Sequence, residues 1–234
     1  MILHDVVQGD AEWLYLRAGI PTASEFDRIV TPGGKLCKAE KTENFMYRLL
    51  AEWWLGRPII TASTAYMDRG AELEGQAVKA YELMTGEKTN KIGIITTDDK
   101  LIGASPDRLV GSKKVAEIKC PLEIGHLSYL ITGSIEDEYK VQIQGQLWVC
   151  ERDEADAVSF HPEFPLAVIR VGRDEPYIKL LSSAVTAFRD QMLEAREMIQ
   201  KVYGPLKRDK QPDDMDGLGL TQEEVDAALA SILS

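Results

Sequence analysis

The chain has 234 residues, 44% of them hydrophobic and 28% charged, with a net charge of −11. This is enough apolar material for one sizeable core, and the acidic balance excludes a generic nucleic-acid coat, so a nucleic-acid enzyme of this composition must concentrate its positive charge locally. No stretch approaches the roughly 20 apolar residues of a membrane helix, and Met1 to Asp10 lacks the basic-then-apolar order of a secretory signal, so a cytoplasmic protein with no membrane partner is expected.

In chain order, helical patterns run from Ser24 to Ile29, from about Thr42 to Leu55 and from about Asp68 to Met84. Strand-like runs follow at Lys91 to Thr96, Lys100 to Val110 and Lys114 to Cys120, and Gly111-Ser112-Lys113 reads as a hairpin turn between the last two. After Pro121 the pattern becomes helical around Glu138 to Trp148, then strand-like at Ala155 to Phe160 and Ala167 to Val171. A long amphipathic helix is expected from about Leu180 to Tyr203, with Val185, Phe188, Met192, Ile199 and Val202 on or near one face. The order predicts an α/β domain of the α+β type over residues 1–204, a central mixed sheet flanked by helices. Residues 205–234 read as a polar linker followed by a helix that opens on the capping box Thr221 to Glu224 and docks on its own body or on a partner. Cys37, Cys120 and Cys150 are odd in number, lie far apart and form no CxxC pair, so they suggest buried free thiols rather than a disulfide framework or a zinc or iron–sulfur site.

The most informative segment is Ser105-Pro106-Asp107, nine residues, then Glu117-Ile118-Lys119. In a strand Glu117 and Lys119 share one face, and the apolar Ala116, Ile118 and Cys120 take the core-facing side. If Gly111 to Lys113 is a three-residue loop, Val110 lies opposite Lys114, and counting back sets Asp107 opposite Glu117. Two carboxylates roughly 5 Å apart repel unless something positive lies between them. A divalent cation meets that need, and so does a surface salt-bridge cluster; spacing alone leaves both readings open. Oxygen ligands in small number suit Mg2+, with Mn2+ as a substitute, better than zinc. Lys119 on the same face would orient or deprotonate a water, or neutralise a phosphate.

This segment resembles the PD-(D/E)xK nuclease superfamily, specifically its lambda-exonuclease-like (YqaJ-type) branch of viral recombination nucleases. Gly70-Ala-Glu-Leu-Glu74 is similar to the branch's helical G-x-x-x-E, Gln142-Ile-Gln144-Gly-Gln-Leu-Trp148 to its Q-x-Q helix, and Trp13-x-x-x-Arg17 through Thr22-Ala-Ser24 to its W-x-x-x-R…TAS element. In matching order the resemblance spans roughly Ala11 to Phe160. It implies a restriction-endonuclease-like core and a 5′-to-3′ exonuclease that digests one strand of linear double-stranded DNA to mononucleotides. Asp107, Glu117 and the main-chain carbonyl of Ile118 would then hold magnesium, Glu74 would complete the metal site, and Lys119 would serve the attacking water. Arg17, Ser24, Ser105 and Gln144 would bind a terminal 5′-phosphate. An interior Gln144 satisfied by backbone is the alternative at that position.

The resemblance also implies a ring-shaped homotrimer around the duplex and a single-strand annealing protein as partner. Lys35, Lys38 and Lys41, in a glycine-bearing loop, are candidate DNA contacts or members of an ordinary solvated loop, and Tyr66 and Met67 are candidates for a wedge at the strand fork. A PD-(D/E)xK endonuclease or repair nuclease would share the acidic site without needing the 5′-phosphate pocket. A non-catalytic DNA-end-binding protein is the other alternative.

Overall fold

The computed structural model describes residues 1–59, 65–135 and 137–204. The expected linker and helix of residues 205–234 lie outside the described residues, and so do the side chains of Tyr66 and Met67.

A short strand, β1 (Ile2–His4), precedes α1 (Ala11–Arg17), whose Asp10 cap accepts the Trp13 N–H at 2.8 Å. A 3₁₀ helix (Ala23–Arg28) stands where an α-helix from Ser24 was expected. Next come α2 (Ala39–Leu55), closed by left-handed Gly56, and α3 (Ala65–Thr85). Five strands follow: β2 (Thr89–Asn90), β3 (Ile94–Thr96), β4 (Gly103–Ala104), β5 (Arg108–Val110) and β6 (Lys114–Lys119). Then α4 (Glu123–Thr132) and α5 (Asp137–Val149) lead to β7 (Glu154–Ser159), β8 (Ala167–Gly172) and α6 (Glu175–Tyr203). No described helix is long and apolar enough to cross a membrane.

The main sheet has the order β2-β5-β6-β7-β8 and is mixed, since β6 and β7 run parallel and the other pairs antiparallel. β1, β3 and β4 form a smaller antiparallel sheet. The flanked mixed sheet is the fold class expected from the order of elements. α4 was not anticipated: Ile124, Leu127 and Ile131 recur at helical spacing, but the stripe they form is exposed rather than turned to the core. The run 100–110 is not one strand either. It breaks at Ser105-Pro106-Asp107, since Pro106 has no N–H for a ladder, and β4 and β5 join different sheets.

The main sheet is buried on both faces. Val115 and Ala157 point into the large core with Leu147 of α5 and Leu181 and Phe188 of α6. Ala116, Ile118 and Val158 point the other way, onto Ala77 and Tyr81 of α3. The sequence expectation put a core on one face of β6 only; here Glu117 points into a polar gap beneath α5, and it is 4% exposed. Below it, Asp156 anchors α3 to the sheet by accepting from Tyr81 Oη at 2.6 Å, with Lys114 and Arg170 as its cations.

Gly145 lets α5 approach the 3₁₀ helix, because a Cβ there would stand 2.6 Å from Phe26 Cδ2 and 2.9 Å from Cε2. Phe26 is fully buried and has little room to yield. A Gly145→Ala protein is expected to lose about 1–3 kcal/mol of stability, read from the urea midpoint, as overpacking does. An unchanged midpoint would show that the close approach is not a constraint.

Candidate active site

The strand register agrees with the hairpin count: Val110 pairs with Lys114 and Arg108 with Ala116. Beyond Arg108 the chain leaves the ladder, and Asp107 turns its carboxylate onto β6, where Oδ2 accepts the Ile118 N–H at 2.6 Å. Gln8 Nε2 donates to the Pro106 carbonyl at 2.9 Å and holds the turn from outside.

Glu117 is surrounded by donors. Lys119 Nζ at 2.8 Å and Gln142 Nε2 at 2.6 Å share Oε1, and Gln146 Nε2 donates to Oε2 at 2.6 Å. A buried carboxylate costs several kcal/mol unless it is paired and hydrogen-bonded, and these contacts meet that requirement. Gln142 and Gln146 are one helical turn apart on α5 and present their amides together. On the α3 side of the sheet, Glu74 Oε1 lies 2.6 Å from Arg108 Nη1. The contact is an ion pair without hydrogen-bond alignment, as Oε1 is otherwise buried without a partner.

Glu74, Asp107, Ile118 and Lys119 line one open cleft of about 770 Å³, walled by Leu122 and Tyr139. Lys119 Nζ sits 4.9 Å from the Tyr139 ring centroid. Among the described residues no lysine or arginine side chain lies within ion-pair distance of the Asp107 carboxylate. Burial and then the neighbouring Glu117 charge raise its carboxyl from the ordinary 3.8 to about 8, against the opposing effects of Lys119 and the Ile118 N–H. For Lys119, burial pulls the ammonium's pKa down, but Glu117 and Asp107 together drive it above its ordinary value. The lysine is therefore a charged ammonium in this arrangement.

A second cluster adjoins the same turn. Arg17 lies over the Trp13 ring at 4.3 Å and reaches the hydroxyls of Ser105 (3.4 Å), Thr22 (3.2 Å) and Ser24 (3.3 Å). Trp13 Nε1 also donates to Ser105 Oγ at 3.0 Å. The 3₁₀ helix starts at Ala23 with no side-chain cap, and the hydroxyl of Ser24 in its first turn serves Arg17. Among the described residues no carboxylate comes within ion-pair distance of Arg17. A cation held only by long bonds to neutral hydroxyls is suited to an incoming anion.

With this geometry in view, the relatives of the chain are informative. Residues 12–153 match the model of the YqaJ-like viral recombinase domain, which is more than half of the sequence and contains every motif above. The chain belongs to the YqaJ-like viral recombinase family. Its fold is similar to that of an alkaline exonuclease (LHK-Exo) from Laribacter hongkongensis, with a TM-score of 0.74 and 32% identity over 82% of this chain and 96% of that one. The same protein in complex with dAMP matches equally well. A phage-related exonuclease from Haemophilus somnus 129PT shares the fold at a TM-score of 0.60 and 18% identity, over 78% of this chain and 96% of that one. No curated protein matches the sequence.

Within this member of the YqaJ-like family, the structure assembles Asp107, Glu117 and Lys119 in one place and Arg17, Ser24 and Ser105 in another. Gln144 joins neither, which corrects the sequence expectation. It is 2% exposed, its Nε2 donates to the Gly172 carbonyl at 2.9 Å, and its Oε1 accepts the Asp174 N–H at 2.9 Å. Both ends of the amide are used to lock α5 to the start of α6. The glutamines that reach the site are Gln142 and Gln146, and their four-residue spacing was the available signal. Of the three lysines expected in the loop, Lys41 lies in the first turn of α2 and pairs with Asp27 at 3.0 Å, and all three are exposed.

The described residues hold no group of three His, Cys, Asp or Glu side chains placed to grip a metal. Two carboxylates converge, and Glu74 is drawn aside to Arg108. The donor chemistry nevertheless fits a hard cation: Asp107 and Glu117 supply oxygen only, and among the described residues no cationic side chain pairs with Asp107. Raised proton affinity makes Asp107 a pH-dependent burden on the metal-free fold. Folded Asp107 holds its proton up to about pH 8, whereas the unfolded group loses it near 3.8, so stability falls as pH rises between those values. In chelator, urea denaturation at pH 5 and pH 9 should show this loss in the native protein and a smaller one in Asp107→Asn. Equal losses in both would contradict the assignment.

Proposed function

We propose that this protein is a magnesium-dependent exonuclease that digests one strand of linear double-stranded DNA from a phosphorylated 5′ end, releasing mononucleotides and leaving a 3′ single strand. The observation that carries the reading is the Ser105-Pro106-Asp107 turn. It joins an arginine that has no ion-pair partner among the described residues, at Ser105, to a carboxylate that likewise has none, at Asp107, with one residue between them. A DNA end offers a terminal phosphate for the first, and a divalent cation held at the second would meet the next phosphodiester. Family membership and the 32% identity to an alkaline exonuclease support the same class of chemistry.

In this reading Asp107, Glu117 and the main-chain oxygen of Ile118 hold a divalent cation, with Mn2+ able to substitute for Mg2+. Bound there, the ion supplies Lewis-acid stabilisation of the phosphate and lowers the pKa of water. Lys119, kept charged by Glu117, donates to the attacking water or to the phosphate oxygens as negative charge builds. Gln142 and Gln146 fix the Glu117 carboxylate beside Lys119. Arg17, Ser24 and Ser105, with Thr22, grip the terminal phosphate, and each cut creates a new one for the same seat.

We extend the reading to a homotrimer encircling the duplex. A ring reconciles the net charge of −11 with DNA binding, because positive charge is needed only along the channel. Lys35 and Lys38 are exposed and remain candidates for that lining. The single-stranded product suits an annealing protein as downstream partner.

The test compares linear duplexes carrying 5′-phosphate or 5′-hydroxyl with closed circles. The phosphorylated duplex should be digested at least about tenfold faster than the hydroxyl form, as loss of a charge-assisted contact implies, and circles should resist. Arg17→Ala should remove the preference, and Lys119→Ala should slow digestion by about 10² to 10⁴ while DNA binding persists. Rapid cutting of circles would point to an endonuclease, and undiminished digestion by Lys119→Ala would overturn the site.

A further inference from the structure

Arg108 plays no part in the reading above, yet it is the cation paired with Glu74, which lines the cleft. It is 8% exposed and follows Asp107 directly in the chain. Its Nη1 donates to the Asp107 main-chain carbonyl at 2.5 Å and stands 2.6 Å from Glu74 Oε1. The guanidinium therefore ties the Asp107 turn to α3 and draws one carboxylate oxygen of Glu74 toward itself. This explains why Glu74 lines the cleft yet forms no three-carboxylate group with Asp107 and Glu117.

We infer that Arg108 is a positioning residue: it holds Glu74 out of direct coordination, so that this carboxylate serves the metal site through water rather than as a ligand. The inference rests on the metal site proposed for Asp107 and Glu117. Charge balance gives it a direction. Three carboxylates share the region with two cations, Lys119 on Glu117 and Arg108 on Glu74. Removing Arg108 makes the site more negative and frees Glu74 to swing toward Asp107, which strengthens attraction for a divalent cation. It also takes Glu74 from the orientation that the cleft presents to water, which slows turnover. Affinity and activity then move in opposite senses. Damage to the fold would weaken both.

The experiment is calorimetric titration of Mn2+ into the full metal-free chain, alongside turnover on a 5′-phosphorylated duplex at saturating metal. Arg108→Gln should bind Mn2+ about fivefold more tightly, the order expected for one charge at partly screened range, while turnover falls about tenfold. Arg108→Lys keeps the charge and should restore the dissociation constant to within about twofold. Glu74→Gln, at a partly exposed side chain, should weaken binding only about threefold, as loss of an outer contact does, whereas Asp107→Asn should weaken it by about a hundredfold or more. Weaker Mn2+ binding by Arg108→Gln, or a loss in Glu74→Gln as large as in Asp107→Asn, overturns the inference. Undiminished binding by Asp107→Asn overturns the metal site itself, so the two failures are distinct.

Discussion

Three carboxylates and two cations meet at the end of β6, and the uneven pairing governs the rest of the site. Lys119 neutralises Glu117, Arg108 neutralises Glu74, and Asp107 has a main-chain N–H but, among the described residues, no cation at ion-pair distance. Asp107 is accordingly the group whose carboxyl is pushed up to about 8, first by burial and then by Glu117. Such an arrangement is uncomfortable in isolation and becomes favourable when a cation enters. The fold therefore stores electrostatic stress at the point where it is to be relieved, as sites built for binding or catalysis commonly do.

The surrounding structure has to withstand that stress. β6 lies between β5 and β7, with both of its faces covered, so Glu117 cannot retreat to solvent. Gln142 and Gln146 come from α5, which Gly145 allows to lie against the 3₁₀ helix and Gln144 locks to the start of α6. Asp156 and its partners Tyr81, Lys114 and Arg170 fix the other end of α3, the helix that carries Glu74. The same 3₁₀ helix carries Ser24 to Arg17. Packing thus joins the phosphate seat and the acidic cleft through α5 and the Ser105-Pro106-Asp107 turn.

Much of this was legible beforehand, and the failures have physical causes. Strong three- and four-residue periodicity made α2, α3 and α6 readable, and the Gly111-Ser112-Lys113 turn gave the β5–β6 register correctly. α4 was missed although Ile124, Leu127 and Ile131 recur at helical spacing; their stripe is short and faces outward, so it lacks the core contacts of the longer helices. Glu117 looked like a group on the open face of a sheet, since alternation along one strand cannot reveal that helices cover both sides. At Gln144 the sequence left a phosphate-binding amide and an interior amide open, and the structure has the interior one. Gln144 does share a face with Val141 and Trp148, but that is the face turned to the core. The Arg108–Glu74 pair lies between residues far apart in sequence, and no local pattern encodes it.

The central claim is that a hard cation occupies the space next to Asp107 and Glu117. Crystals soaked in Mn2+ and measured at the manganese absorption edge test it most directly. The account predicts one anomalous peak at roughly 2.0–2.4 Å from carboxylate oxygens of both residues, with Glu74 beyond ligand distance and still beside Arg108. A peak elsewhere, or none at Asp107 under conditions that support digestion, would contradict it.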